Sequence, residues 1–587
     1  MALLLLSHCA AKHQPLEFPG YFALMPENEF TLVQNDEAKA LESVSQPTGF
    51  QKRRLGELYQ NEQRGLKSTS SRYVVLDQKI QQLKDETIEL DKSIIQLQAE
   101  IAKYPSEDIP PPKPAVFSDP GMKKAFADAA KLWNGDESAK ALERLDSASK
   151  MFDSTLSTAE KLRINNLRFR IYSEASDLKS SSTAYLAMKS LDDCNPDTTQ
   201  AGFLLSILTF AQGDAGNALK ILDGQCDRDE TELGKQRRSY WRARFQEGQG
   251  TVSTIAYQAL ASAPIPAFYS FLAETRLGQR VSVPTSQSPV KGYLSQEFNV
   301  PEEVHQLLLS AEERLKWNLK RDAMAFLLKA SRRMRKSPGK SDVVPLLYIA
   351  HLCQAAGNHL EALRIYAQVT QFMTQDPELS PLVTPRLLAE MFPRPFEAKV
   401  DWLSKMWGVD ADYVYSIIRQ ESAFSPTAVS GSDARGLMQL MPALARMLAK
   451  QWSFRSYYSD RSLFDIDENL KLGVFHLKQL DVLVPHPALI AAGYNAGVNR
   501  AIRWWKRYGN YPLDVFIELI PVNETRNYVK LVLRNYYFYK NLRTGKPVDP
   551  SQVPFQLGPI PPEYITSNGA GFLPRWTQVD TKRLQVD

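Results

Sequence analysis

The chain has 587 residues, of which 43% are hydrophobic and 23% charged, and its formal net charge at pH 7 is +5. This length allows several globular domains, and the composition is that of a folded protein. So small a positive charge argues against a dedicated nucleic-acid binder and is compatible with an anionic polymer as partner. No apolar run approaches the roughly 18 residues of a membrane-spanning helix.

Residues 1–20 have features of an export signal, although the apolar run is short and no basic residue precedes it. Leu6-Ser7-His8-Cys9 resembles a lipoprotein cleavage box, with histidine where that box has a small residue. A start codon further upstream would supply the missing basic segment. We therefore expect a periplasmic protein, either soluble or attached to the outer membrane through a lipid on Cys9.

Residues 50–103 are predicted to be helical and to contain a coiled-coil seam. Spacings of four and three residues, typical of a heptad repeat, separate Leu76, Ile80, Leu83, Thr87, Leu90, Ile94, Leu97 and Ile101. The seam could pair with a second copy or a partner helix, fold against the Gln51–Leu66 region, or act as a spacer. The 51–66 region has fewer apolar residues, which favours pairing with another molecule.

The proline-rich residues 104–119 predict an extended linker, because prolines end helices and stiffen the chain. Residues 120–385 read as consecutive amphipathic helices joined by short turns. Three of these turns, at 132–136, 211–214 and 355–358, place Asp or Asn after a glycine, as in the turns of tetratricopeptide-like repeats. The segment is therefore predicted to be a helical superhelix; a generic all-α domain without repeats is the alternative.

The four cysteines are too few and too scattered for a disulfide framework or a zinc site, and no histidine spacing indicates a metal. Cys194 and Cys226 could pair in an oxidising compartment. The alternative, which we favour from the sequence, is that both are small buried residues in helices. No metal and no other cofactor is predicted.

A glutamate in the C-terminal third of the chain has the pattern of a catalytic acid. Val414, Ile417, Ile418 and Glu421 are spaced i, i+3, i+4 and i+7, so Glu421 is predicted on the buried face of a helix. Apolar surroundings favour the neutral form of a carboxyl group, which a general acid requires near neutral pH. The alternative from this pattern alone is a structural glutamate paired with an arginine.

Four motifs occur in order within about 110 residues: Glu421-Ser422, Gly436-Leu437-Met438-Gln439-Leu440-Met441-Pro442, Gly493-Tyr494-Asn495-Ala496-Gly497, and Ile520-Pro521-Val522-Asn523-Glu524-Thr525-Arg526-Asn527-Tyr528-Val529. Together they resemble the soluble lytic transglycosylases of the bacterial periplasm, lysozyme-like enzymes that cleave peptidoglycan. The resemblance covers roughly residues 395–545. The departures from the family pattern are Asp433 for glycine, Leu444 for threonine, Gly493 for alanine and Val522 for an aromatic residue.

The resemblance implies an all-α protein with a helical superhelix followed by a lysozyme-like catalytic domain, here at residues 386–545. The coiled coil would precede these domains, and a proline-rich tail at 546–587 would follow them. Four helices are predicted to carry the catalytic motifs, at residues 410–421, 442–451, 467–480 and 487–495. Pro442 suits the first position of its helix, where a missing N–H costs nothing.

The resemblance also implies a mechanism with one carboxyl group. Glu421 would protonate the glycosidic oxygen and then act as a base on the C6 hydroxyl of the same sugar, which closes a 1,6-anhydro ring. The glycan would contact Ser430, Gln439, Met441, Tyr494, Asn495 and Glu524. The structural alternatives are loop capping for Ser430, core packing for Met441, and an ion pair with Arg526 or another basic residue for Glu524. Trp504 and Trp505 are predicted to be core residues.

Two other functions stay open from the sequence. One is hydrolysis of the same bond by water, as in goose-type lysozymes, for which a second carboxylate would have to hold the water. The other is a non-catalytic helical scaffold that binds peptidoglycan. The presence of Glu421 together with Gln439 and Tyr494 argues against the scaffold.

Overall fold

The computed structural model describes residues 10–16, 71–86, 117–226, 231–251, 253–279, 293–451, 459–484 and 486–548, with single positions between 42 and 63. The chain forms two compact units. The first comprises Met1–Asp108, Pro284–Met406 and Glu421–Leu472; the second comprises Ile109–Val283, Trp407–Gln420 and Gly473–Asp587. No described helix is both long and apolar enough to cross a membrane.

Helices make up nearly all of the regular structure, which confirms the predicted all-α class. The first ten are α1 Ser71–Glu86, α2 Pro120–Asn134, α3 Ser138–Phe152, α4 Thr158–Glu174, α5 Leu178–Leu191, α6 Pro196–Ala211, α7 Ala215–Asp223, α8 Glu232–Gly248, α9 Thr254–Ala261 and α10 Phe268–Arg276. They continue with α11 Glu302–Lys316, α12 Lys320–Arg335, α13 Val343–Ala355, α14 His359–Gln375, α15 Pro385–Met391, α16 Glu397–Trp407 and α17 Ala411–Ser422. The last six are α18 Pro442–Gln451, α19 Ile466–Leu483, α20 Pro487–Ala496, α21 Val498–Tyr508, α22 Leu513–Glu518 and α23 Asn523–Thr544.

The first unit contains a two-stranded antiparallel sheet that joins residues near the N-terminus to the start of α11. Strand β1, Ala10–His13, pairs with β2, Phe298–Pro301, with Ala10 opposite Pro301. The buried His13 ring lies 2.6 Å from the carboxylate of Glu312 and 2.8 Å from the His305 ring. This contact anchors the short strand on α11. The predicted acylation site at Cys9 lies outside the described residues.

The described half of the predicted coiled coil packs within its own chain. Leu76 and Ile80 of α1 are buried against Tyr59 and Leu55. These contacts favour the intramolecular alternative for this half of the seam, because its apolar positions are already covered. The heptad positions after Glu86 lie outside the described residues, and pairing with another molecule through them stays a prediction.

In the second unit, α2 to α10 pack mainly on their near neighbours along the chain, as repeat helices do. The first three share one core that includes Trp133, Leu145 and Leu167. The predicted turn at 211–214 has Gly213 at φ 93° and Asp214 capping α7. The turn at 132–136 differs, because its left-handed residue is Asp136 at φ 70°.

The helices that carry the motifs begin and end close to their predicted positions. Helix α18 has the predicted bounds, Pro442–Gln451, with proline as its first residue. Helices α17 and α20 each extend one residue beyond the prediction, and α19 three residues beyond it. The tail after Val548 and the linker before Phe117 lie outside the described residues.

The favoured interpretation of two cysteines from the sequence is wrong. Cys194 and Cys226 form a disulfide, with Cα atoms 5.2 Å apart, a separation typical of such bonds. The two residues are separated by 32 positions in the sequence, and no short-range pattern predicts that they lie close together. Disulfides persist in oxidising compartments, so the bond agrees with the expected export.

Removing this disulfide should destabilise the second unit. Replacing both cysteines with serine is expected to lower the free energy of unfolding of this unit by about 3–4 kcal/mol. The disulfide closes a loop between residues 32 positions apart, and without it the unfolded chain gains conformational entropy. Urea unfolding with and without a reductant measures the effect. The wild type in reductant should fall to the level of the variant, and the variant should not respond to reductant. A wild type that does not respond to reductant would contradict this expectation.

Candidate active site

The predicted acid lies at the end of helix α17. Val414, Ile417 and Ile418 are fully buried, and Glu421 is half-buried in the last turn. Immediately after the helix, Ala423 and Phe424 both adopt left-handed backbone, at φ 47° and 66°. Such conformations are costly for residues other than glycine and are concentrated at functional sites. The chain therefore leaves the helix abruptly, two residues after the glutamate.

A structured loop, residues 423–441, connects α17 to α18 and is attached to the end of α17. The buried Ser422 hydroxyl donates a hydrogen bond to the carbonyl oxygen of Leu437 at 2.7 Å. Within the loop, Arg435 forms backbone bridges with Val429 and with Leu440. The loop thus folds back on itself, and its position is tied to the residue next to Glu421.

Asn469, on α19, holds this loop from beneath. Its amide oxygen accepts from the backbone N–H of Met438 at 2.7 Å. Its amide nitrogen donates to the carbonyl oxygens of Arg435 and Leu463, at 2.9 and 2.8 Å. Asn469 is completely buried, so its polar atoms need these partners. Sequence reasoning missed this residue, because no motif marks it.

Gly436 is required where the loop meets Asn469. Its backbone is left-handed at φ 78°, a conformation that glycine adopts without penalty. A Cβ atom there would lie 2.0 Å from the Leu463 carbonyl oxygen and 2.3 Å from the Asn469 amide nitrogen. The packing of the loop against Leu463 and Asn469 therefore leaves no room for a side chain at this position.

The loop presents the three residues of this region that were predicted to contact substrate. The Gln439 amide nitrogen donates to the carbonyl oxygens of Ala428 and Gly436, at 3.0 and 2.9 Å. The exposed Ser430 hydroxyl accepts from two backbone N–H groups, as the loop-capping alternative requires. Met441 is 41% exposed and is therefore not the core residue of the structural alternative.

Asp433 departs from the glycine of the family pattern at a position where glycine would be favoured. Its backbone is left-handed at φ 67°, which Asp tolerates better than most residues. Arg435 donates two hydrogen bonds to the Asp433 carboxylate, at 2.9 and 3.1 Å. This bidentate pair compensates for the less favourable backbone and keeps the loop closed.

The second unit carries the other predicted contacts. Asn495, at the end of α20, donates a hydrogen bond from its amide to the Glu524 carboxylate at 3.3 Å. The buried Thr525 hydroxyl donates to the other side of the same amide, its oxygen, at 2.6 Å. Glu524 and Asn495 are thus brought together, as a pair that spans the third and fourth motifs.

Tyr494, next to Asn495, packs against a histidine that the motifs do not include. Its ring centroid lies 5.3 Å from that of His476 on α19. Burial lowers the pKa of His476 to about 4, so the imidazole is neutral at neutral pH. A neutral ring of this kind supports Tyr494 by packing and adds no charge beside it.

Arg526 has a different role from the one considered for it in the sequence. It is buried and donates to the carbonyl oxygen of Glu518 at 3.0 Å and to the side chain of Asn523. It therefore secures the start of α23 rather than forming an ion pair with Glu524. Trp504 and Trp505 are 2% and 5% exposed and lie in the core, as predicted.

A cavity of about 490 Å³ lies in the first unit beside the segment that follows Glu421. Its walls come from α12, from the start of α14 and from residues 424–427. Lys320 and Arg321 line it, and no carboxylate does. Burial lowers the pKa of His359, another lining residue, to about 4. Among the described residues, no group of three or more His, Cys, Asp or Glu side chains is placed to hold a metal ion.

These elements define an all-α fold. Residues 400–517 match the family described as the transglycosylase SLT domain. This stretch therefore carries a transglycosylase SLT domain, which agrees with the family that the motifs resemble.

Named relatives agree with this assignment. A Haemophilus influenzae protein assigned to the soluble lytic murein transglycosylases is 40% identical over 137 residues, covering 23% of each chain. The soluble lytic murein transglycosylase of Escherichia coli K12 is 33% identical over 162 residues, covering 27% of this chain and 25% of the relative. The matched part thus spans about a quarter of these relatives.

One solved structure is similar over most of the length. It is the lytic transglycosylase Slt of Pseudomonas aeruginosa, in the form of an inactive glutamate-to-glutamine mutant. The TM-score is 0.54 at 22% sequence identity, with 91% of this chain and 86% of the other covered. At this identity the similarity shows a shared fold.

Proposed function

We propose that this protein is a peptidoglycan lytic transglycosylase, which cleaves the bond between N-acetylmuramic acid and N-acetylglucosamine and leaves a 1,6-anhydro-muramic end. The observation that carries the proposal is the position of Glu421 within the matched domain. It lies half-buried at the end of α17, beside two left-handed residues and a loop tied to Ser422. A carboxyl group in such a place can exchange a proton with a bound ligand.

The matched domain contains other carboxylates besides Glu421. Between residues 400 and 517 there are ten others, and each takes part in an ion pair or a helix cap. The paired ones are Asp401, Asp410, Asp412, Asp433, Asp460, Asp467, Glu468, Asp481 and Asp514. Asp465 caps the start of α19. The choice of Glu421 therefore rests on its motif and on its position at the end of α17.

The proposed reaction uses Glu421 twice. As an acid it gives its proton to the glycosidic oxygen while the bond from that oxygen to C1 of the muramic sugar breaks. As a base it then removes the proton of the C6 hydroxyl of the same sugar, whose oxygen bonds to C1. The hydroxyl is part of the substrate, so it acts at high effective concentration and no bound water is needed.

The hydrogen bonds of the loop indicate which substrate groups could bind there. Both donors of Gln439 are used by the loop, which leaves its amide oxygen to accept from an acetamido N–H or a sugar hydroxyl. Ser430 accepts two backbone hydrogen bonds, so its O–H proton is left to donate to a sugar oxygen. Met441, exposed at the start of α18, would cover an apolar face of a sugar ring.

An anionic wall polymer fits the charges of this protein. The cavity beside residues 424–427 contains Lys320 and Arg321 and no carboxylate. The net charge of +5 is of the same sign. A polymer that carries carboxylates would be attracted to such a surface. The proposed place of action is outside the cytoplasm, in the periplasm, which agrees with the Cys194–Cys226 disulfide.

The products of digestion test the proposal. Purified peptidoglycan treated with the full chain is expected to release fragments whose muramic ends are lighter by one water than reducing ends, because the C6 hydroxyl replaces water as the nucleophile. Mass spectrometry before and after borohydride reduction measures this, since an anhydro end is not reduced. Reducible ends would instead favour a goose-type hydrolase, and binding without any released fragment would favour a glycan-binding scaffold.

A further inference from the structure

Thr525 lies in the fourth motif, directly after Glu524, and has no role in the proposed chemistry so far. Its side chain is 1% exposed, in the first turn of α23. A buried threonine hydroxyl needs a hydrogen-bond partner, and here the partner is the amide oxygen of Asn495 at 2.6 Å. Thirty positions separate the two residues in the sequence, so this contact joins the third and fourth motifs.

The hydroxyl determines which way the Asn495 amide faces. Because Thr525 donates to the amide oxygen, the amide nitrogen points to the Glu524 carboxylate, 3.3 Å away. With the amide reversed, its oxygen would face a carboxylate, which only accepts hydrogen bonds when ionised. Thr525, Asn495 and Glu524 therefore form a directed chain of hydrogen bonds.

The backbone around this chain is held in place. Arg526 donates to the carbonyl oxygen of Glu518 and to Asn523, which secures the first turn of α23. A threonine side chain occupies mainly two rotamers in a helix, so the position of the Thr525 hydroxyl oxygen is restricted as well. At the other end, the N–H of Gly497 donates to the carbonyl oxygen of Gly493 at 2.9 Å and closes α20 behind Asn495.

We propose that Thr525 is a positioning residue for glycan cleavage: its hydroxyl fixes the amide of Asn495, which in turn orients the Glu524 carboxylate. The inference rests on the proposed transglycosylase function. Thr525 itself does not touch the substrate. Its loss acts on the orientation of groups that do.

Thr525→Val tests this, because it keeps the shape of the side chain and removes the donor. We expect kcat on peptidoglycan to fall about tenfold, the effect of one lost hydrogen bond, while KM stays within about twofold. Thr525→Ser retains the hydroxyl and should restore kcat to within about twofold of wild type. The matched control is Thr209→Val on α6, whose buried hydroxyl donates to the Leu205 carbonyl oxygen at 2.7 Å.

The control separates a positioning role from a purely structural one. Both valine variants lose a buried hydrogen bond, so both lose stability, and only Thr525→Val should lose kcat at equal folded fraction. Combining it with Asn495→Ala should cost no more than Asn495→Ala alone, since the two residues act in one chain. Equal kcat in the two valine variants, or no recovery with serine, overturns the inference.

A measurement independent of activity distinguishes failure of this inference from failure of the proposed function. With asparagine labelled with ¹⁵N, the side-chain amide signal of Asn495 can be assigned from its loss in Asn495→Ala. It should shift and exchange faster with water in Thr525→Val and remain unchanged in Thr209→Val. An unchanged signal in Thr525→Val overturns the inference even if the wild type cleaves glycan. An inactive wild type with a shifted signal contradicts only the proposed function.

Discussion

Replacing Glu421 by glutamine is expected to lower the rate of glycan cleavage by at least about 100-fold, because an amide cannot give and take the proton that the reaction requires. The two side chains have nearly the same shape, so the half-buried position should accept glutamine without unfolding. The rate of release of soluble fragments measures activity, and thermal unfolding of the same samples measures the fold.

The matched control is Asp481→Asn, which makes the same carboxylate-to-amide change on α19. Asp481 pairs with Lys478 at 3.0 Å and is partly exposed, so the variant should keep its activity within about twofold. If Glu421→Gln retains roughly a tenth of the wild-type rate, Glu421 is not the general acid. A loss of stability above about 2 kcal/mol in Glu421→Gln would instead indicate a structural glutamate.

The sequence predicted those parts of the fold that depend on local patterns. Apolar residues at helical spacing marked α17, and a proline at the first helical position marked the start of α18. The motifs located the family and the residues of the loop around Gln439. Each of these signals lies within one or two turns of chain, so it can be read without knowing what packs against it.

Contacts between distant segments were not predictable in this way. Asn469 reaches the backbone of Met438 from 31 positions away, and the partner of Thr525 lies 30 positions away. Cys194 and Cys226 were expected to be separate core residues. Whether their side chains come close enough to bond depends on how several helices stack, which the local sequence does not show. A single sequence carries no signal for such pairs, since many residues could satisfy the same local pattern.

The left-handed residues show a further limit. Ala423 and Phe424 come directly after Ser422, the last residue of α17, and neither is a residue that favours φ near 50–65°. Local propensity would continue the helix there. Burial of Phe424, which is 2% exposed, and the Ser422 hydrogen bond to Leu437 hold the backbone in this conformation. Tertiary packing therefore decides the shape of the chain at the proposed acid, against the local preference.

Gly436→Ala is expected to be the most destabilising single change in the loop. The added Cβ would lie 2.0 Å from the Leu463 carbonyl oxygen, a backbone atom that cannot rotate away, and the residue would have to keep φ at 78°. The left-handed conformation alone costs about 1–2 kcal/mol, and relief of the clash would break the Asn469 hydrogen bonds as well. We expect a total loss of at least about 3 kcal/mol, measured by urea unfolding.

Gly431→Ala is the control, since it changes the same residue type in the same loop. No atom lies within 4 Å of a Cβ built at Gly431, and its backbone is not left-handed. This variant should match the wild type within about 0.5 kcal/mol and keep its cleavage rate. Because the loop carries Gln439 and is tied to the residue beside Glu421, Gly436→Ala should also lose cleavage under conditions where the rest of the chain is folded. Equal stability of the two alanine variants would show that Asn469 and Gly436 do not hold this loop.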